Sequence, residues 1–79
     1  MSVMFEVFYQ PPKNPEREAQ LMERVKPWGG QLTFREDERP ASGICLTFEF
    51  GTWQEAERAA QTLRAQGEFL EGPMEYGDD

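Results

Sequence analysis

The chain contains no histidine and a single cysteine, Cys45, among its 79 residues. Without an imidazole no side chain ordinarily titrates near neutral pH, so general acid–base catalysis loses its commonest group. One thiol allows no disulfide to brace a small domain, and one Cys without His cannot furnish a structural zinc site. No apolar run approaches the roughly 20 residues that span a bilayer. The stretch Met1-Ser2-Val3-Met4-Phe5-Glu6 has no basic segment leading into an apolar one, so no secretory signal is expected. These absences predict a cytoplasmic chain with no membrane partner, no metal and no cofactor.

Positive charge is also scarce. Eight Lys and Arg stand against fifteen Asp and Glu, a formal net charge of −7. Up to Gly30 four acidic and four basic residues cancel, and from Gln31 onward eleven acidic residues face four basic ones. Long-range attraction to phosphate backbones or anionic lipid is therefore disfavoured, and nucleic acid is not an expected partner.

What the chain does have is aromatic: six Phe, two Trp and two Tyr. A core of this size supplies only about 3–5 kcal/mol net, so pairing with a second chain is one route to further burial. Val3 to Tyr9 is rich in β-branched and aromatic residues and reads as a strand. Asn14-Pro15-Glu16 reads as a helix start, with an N-cap side chain, Pro in the first turn and an acid near the positive dipole end. Leu21, Val25 and Trp28, with Met22 alongside, form its apolar stripe, and Gly29-Gly30 closes it.

Gln31 to Arg35 alternates as a second strand, followed by a charged loop from Glu36 to Gly43. Ile44 to Phe50 alternates cleanly as a third strand. Thr52-Trp53-Gln54-Glu55 matches a capping box, and Trp53, Ala56, Ala60 and Leu63, with Ala59 alongside, repeat at helical spacing. Gly67 falls where a left-handed cap belongs, and Phe69 to Tyr76, interrupted by Gly72-Pro73, reads as an edge strand. The order β-α-β-β-α-β predicts a single α+β domain over residues 1–79 with an acidic tail from about residue 77. The expected architecture is a ferredoxin-like sandwich: a four-stranded antiparallel sheet in order 4-1-3-2, two helices on one face, the other face open.

Period two assigns side chains to faces. The larger apolar sets belong under the helices: Val3, Phe5, Val7 and Tyr9; Ile44, Leu46, Phe48 and Phe50; Leu32 and Phe34; Leu70, Met74 and Tyr76. The open face then receives Met4, Glu6, Phe8, Thr33, Arg35, Cys45, Thr47, Glu49, Phe69 and Glu71. Antiparallel pairing predicts two rows across it, Phe69–Phe8–Cys45–Arg35 and Glu71–Glu6–Thr47–Thr33.

Leu46-Thr47-Phe48-Glu49-Phe50-Gly51-Thr52-Trp53-Gln54-Glu55-Ala56-Glu57-Arg58-Ala59 resembles the third strand and second helix of an RNA recognition motif. The resemblance implies the same architecture. Such modules stack bases on aromatics at alternate open-face positions of the first and third strands. Here those positions hold Met4, Cys45 and Thr47, so the architecture is expected without RNA binding.

Other chemistry is thinly supported. Ser2 and Ser42 have no neighbouring base, and Cys45 has acidic neighbours rather than an activating one. Glu6 beside Glu71 could form an acid/base pair, since adjacent carboxylates push one pKa upward. Glu36-Asp37-Glu38 lacks the ligand spacing and central Gly of a calcium loop. Gly29-Gly30 has no following Lys-Ser/Thr to hold phosphate. Trp28 and Trp53 fall on apolar stripes and read as core anchors.

The resulting expectation is an interaction or regulatory domain, with no catalytic residue assigned, that self-associates through Met4, Glu6, Phe8, Arg35, Cys45, Phe69 and Glu71. A two-fold axis would bring each copy's Arg35 to the other's Glu6 and Glu71. The alternative is a small-ligand binder or minor enzyme whose pocket, lined by Phe8, Phe69, Cys45 and Arg35, lies on this face or at the dimer interface.

Overall fold

The computed structural model describes residues 2–39 and 43–76. The elements run β1 (Ser2–Tyr9), α1 (Pro15–Val25), a 3₁₀ turn (Lys26–Trp28), β2 (Gln31–Arg39), β3 (Gly43–Phe50), α2 (Trp53–Ala65) and β4 (Phe69–Tyr76). One four-stranded sheet has the order β2-β3-β1-β4, all pairs antiparallel. Read from its other edge this is the predicted 4-1-3-2.

Both helix starts form as their cap residues dictate. Asn14 Oδ1 accepts from the Arg17 amide at 3.0 Å, and Thr52 Oγ1 accepts from the Glu55 amide at 3.2 Å. The second half of the capping box differs: the Glu55 carboxylate accepts from the Thr52 hydroxyl at 3.3 Å. The two amide contacts each satisfy an N–H that the helix itself leaves without a partner. α1 ends in the 3₁₀ turn, where Gly29 takes a left-handed φ of 80°.

One parity of β1 and β3 packs against both helices. Val3, Phe5, Val7, Tyr9, Ile44, Leu46, Phe48 and Phe50 form one core with Leu21, Val25, Ala56, Ala59, Ala60, Leu63 and Leu70. Phe5 sits at its centre, its ring 5.0 Å from that of Phe50 and 6.0 Å from that of Phe48. Three alanines on α2 let that helix approach the aromatic layer closely. Gly30 has a related role, because a Cβ there would lie 2.7 Å from the Phe50 ring and 2.8 Å from Val25 Cβ.

Four expectations are corrected. Residues 36–39 are strand, since β2 runs on to Arg39; the rest of the charged loop, residues 40–42 with Ser42, and the tail from residue 77 lie outside the described residues. Trp53, the first residue of α2, is 40% exposed rather than anchored in the core, whereas Trp28 packs against it. The other two concern the edge strands. Between Leu32 and Phe34 the register slips by one, two steps on β2 matching one on β3. Between Met4 and Glu6 on β1 the partner strand advances from Met74 to Glu71, taking up Gly72 and Pro73. Each extra residue inverts the facing of everything beyond it.

Candidate functional site

The face away from the helices is built from three rows that the register fixes. The first is Phe69–Phe8–Cys45–Glu36, the second Glu71–Glu6–Thr47–Phe34 and the third Met74–Met4–Glu49–Gln31. Of the residues assigned to this face from sequence, Met4, Glu6, Phe8, Cys45, Phe69 and Glu71 stand together on it. Arg35 does not. The bulge at Thr33 turns Phe34 outward opposite Thr47 and places Arg35 opposite Leu46, on the helix side. Met74, expected under the helices with Leu70, stands opposite Met4 for the same kind of reason.

The face is graded in exposure. Phe8, Cys45 and Thr47, on the two central strands, are buried by their neighbours. On the edge strands Phe34 is 58% and Phe69 64% exposed, and the Phe69 ring packs 5.9 Å from that of Phe8. Two large rings left in solvent on one face, with two methionines half-buried between strands, form an apolar surface that the helices do not cover. Glu6 and Glu71 are directly paired across β1 and β4 and make no ion pair among the described residues. No Lys or Arg side chain among the described ones stands on this face.

Arg35 instead completes a cluster beneath α1. Its Nε and Nη2 donate to the two oxygens of Glu18 at 2.6 and 2.7 Å, and Nη1 donates to Asp37. The Tyr9 hydroxyl donates to Glu18 and accepts from the Asn14 amide at 2.9 Å. The Arg17 guanidinium lies over the Tyr9 ring, 5.2 Å from its centre. Glu18 is only 7% exposed. The Arg35 bonds hold its carboxyl below the ordinary 4.5, burial opposes this, and the Tyr9 hydroxyl adds to it. Burial first, then the bond to Glu18, push the Tyr9 hydroxyl above 10.0, while Glu18 raises Arg35 and keeps it charged. This fork ties α1 to β1 and β2, with its three members satisfying one another.

A second buried carboxylate, Glu68, receives Arg17 at 2.7 Å and Arg24 at 3.7 Å, joining α1 to the start of β4. A polar cleft of ≈ 370 Å³ lined by Asn14, Gln20, Gln66 and these residues lies beside it. Both arginines are directed at Glu68, while the Arg17 Nε is buried without a hydrogen-bond partner.

Sequence reasoning missed Glu18, Glu68 and Phe34. Glu18 had a signal, because it stands three and seven residues before Leu21 and Val25, on the same buried stripe. Phe34 had none. Among the described residues no three His, Cys, Asp or Glu gather where they could hold a metal ion, and no helix is long and apolar enough to cross a membrane. Comparison with known proteins finds no matching family model, no matching curated protein and no matching solved structure.

Proposed function

We propose that this chain is a small interaction domain whose working surface is the open face of the sheet, where it meets another protein or a second copy of itself. The observation that carries this reading is the outward placement of Phe34 and Phe69, 58% and 64% exposed, on a face the helices leave bare. A chain with little core to spare has placed three of its six Phe on that face, two of them exposed. Aromatic side chains are enriched in binding patches. The charged fork of Glu18 and Arg35 lies on the other side of the sheet and acts in folding rather than in contact.

The reading is tested by replacing Phe69, and separately Glu57 on the outer side of α2, with photo-crosslinking benzoylphenylalanine. Irradiation should give discrete adducts from position 69 and none from position 57, in purified protein at high concentration where the partner is a second copy and in the cell where it is another protein. Equal labelling from both positions, or none from position 69 in either setting, would reject it.

A further inference from the structure

Resting on that reading, we infer that the occupant of the open face is an extended segment of a different protein that presents an arginine between two apolar side chains. The rows supply the pattern. Along β1 and β4 the face steps from Phe8 and Phe69, through Glu6 and Glu71, to Met4 and Met74. Successive rows in a sheet are about 6.6–6.8 Å apart, two residues of strand. An extended chain laid along them matches this with apolar, basic and apolar residues at alternate positions, all on one of its faces.

The central pair selects arginine in particular. Two carboxylates side by side offer adjacent acceptors, and the planar guanidinium, with its fixed fork of donors, fits such a pair better than the point charge of lysine. Glu6 and Glu71 make no ion pair among the described residues, whereas buried Glu18 and Glu68 are each met by arginine within the chain. The pair also opposes like charges across adjacent strands, which weakens a sheet. A cation from outside would relieve that.

Charge disfavours a second copy. A self-paired face would bring Glu6, Glu49 and Glu71 of each chain together, and Arg35, the cation that could have answered them, is held by Glu18 beneath α1. Four strands about 4.8 Å apart and three rows about 6.7 Å apart outline a flat footprint of about 20 Å by 20 Å, along which a short extended segment lies.

The probe is a dye-labelled peptide, Ser-Leu-Ser-Arg-Ser-Leu-Ser, titrated with the full chain and read by fluorescence anisotropy. Binding should weaken at least about tenfold in Glu6→Gln/Glu71→Gln, and similarly in Phe69→Ser, about 1.4 kcal/mol by the usual conversion. Glu16→Gln/Glu57→Gln makes the same change of net charge on the helices and should alter binding less than about twofold. Affinity should fall as salt rises from about 20 to about 300 mM, and peptides with glutamate for arginine or serine for leucine should not bind. Equal loss from the helix pair, binding of the glutamate peptide, or no binding of the arginine peptide at millimolar concentration would overturn the inference. So would light scattering that finds a dimer strengthened by salt and abolished by Phe69→Ser. In that case the occupant is a second copy, and the open face remains the interface. Failure of the crosslink at position 69 is the separate result that removes the face itself.

Discussion

Glu18→Gln is the substitution that tests the account of the folded state most directly. The side chain keeps its volume, so packing beneath α1 is preserved, and only charge and hydrogen bonding change. The carboxylate accepts three bonds, one from the Tyr9 hydroxyl and two from Arg35. An amide has one acceptor oxygen, and its NH₂ must face a donor on one side or the other. Hydrogen bonds to a charged group contribute about 1.5–3 kcal/mol each, but members of one network are not additive. Loss of one strong bond and part of the counter-charge gives an estimate of about 2–3 kcal/mol at neutral pH. In a domain this small each kcal/mol is worth roughly 4–8 °C in melting temperature, so the fall should be roughly 8–24 °C.

The pH dependence provides an independent check on sign. Glu18 titrates below its ordinary 4.5 when folded, so its contribution to stability is present above that value. It is lost as pH falls through the lower, folded value. Melting curves by circular dichroism, run from about pH 7 to about pH 3, should therefore show a wild-type advantage that is constant at first and then closes. Once Glu18 is protonated, the wild type and the amide are close chemical equivalents. A variant that melts with the wild type at neutral pH would show that the Glu18 charge adds nothing to the fold. So would an advantage that stays constant into acid, which would place the cause in packing rather than ionisation.

Three further outcomes are expected. Gly30→Ala should destabilise by about 1–3 kcal/mol in urea titration, because its Cβ would run into the buried Phe50 ring and Val25. Thr52→Ala should lower stability by about 0.5–2 kcal/mol, since it removes the acceptor for the Glu55 amide; an unchanged melting curve would mean the cap contributes nothing. Cys45 is 1% exposed, so Ellman's reagent should react with it only through opening of the sheet, at a rate that climbs with urea. Immediate reaction in native buffer would contradict its burial.

The central strands were legible and the edge strands only partly so, and the reason is physical. β1 and β3 are hydrogen-bonded on both sides, so neither can gain a residue without breaking two ladders. Their alternation therefore survives from Val3 to Tyr9 and from Ile44 to Phe50, and period two assigns every one of these side chains to its correct face. An edge strand is constrained on one side only. β2 and β4 each take up an extra residue, and the rule that served the centre misassigns what lies past it. On β4 the Gly72-Pro73 pair was a warning, since Pro73 has no N–H for a ladder and glycine permits the φ of 107° that Gly72 adopts. On β2 nothing in Leu32-Thr33-Phe34 announces the bulge.

That unannounced residue decides the chemistry of the open face. With strict alternation, Arg35 would stand outward and Phe34 inward, and the sheet would present a cation on the same face as two paired carboxylates. Glu18 would then be buried beneath α1 with no guanidinium, at a cost of several kcal/mol for an uncompensated charge. One bulge settles both demands together. It sends the guanidinium to Glu18, where Arg35 Nε and Nη2 meet both oxygens at 2.6 and 2.7 Å, and it turns Phe34 into solvent. The buried stripe of α1 thus sets the parity of β2, because a carboxylate at position 18 demands a cation at a definite place on the sheet beneath it. The open face is left acidic and aromatic by that demand. The partner proposed for this face would supply the positive charge itself, since Arg35, on β2, is committed to holding the helix.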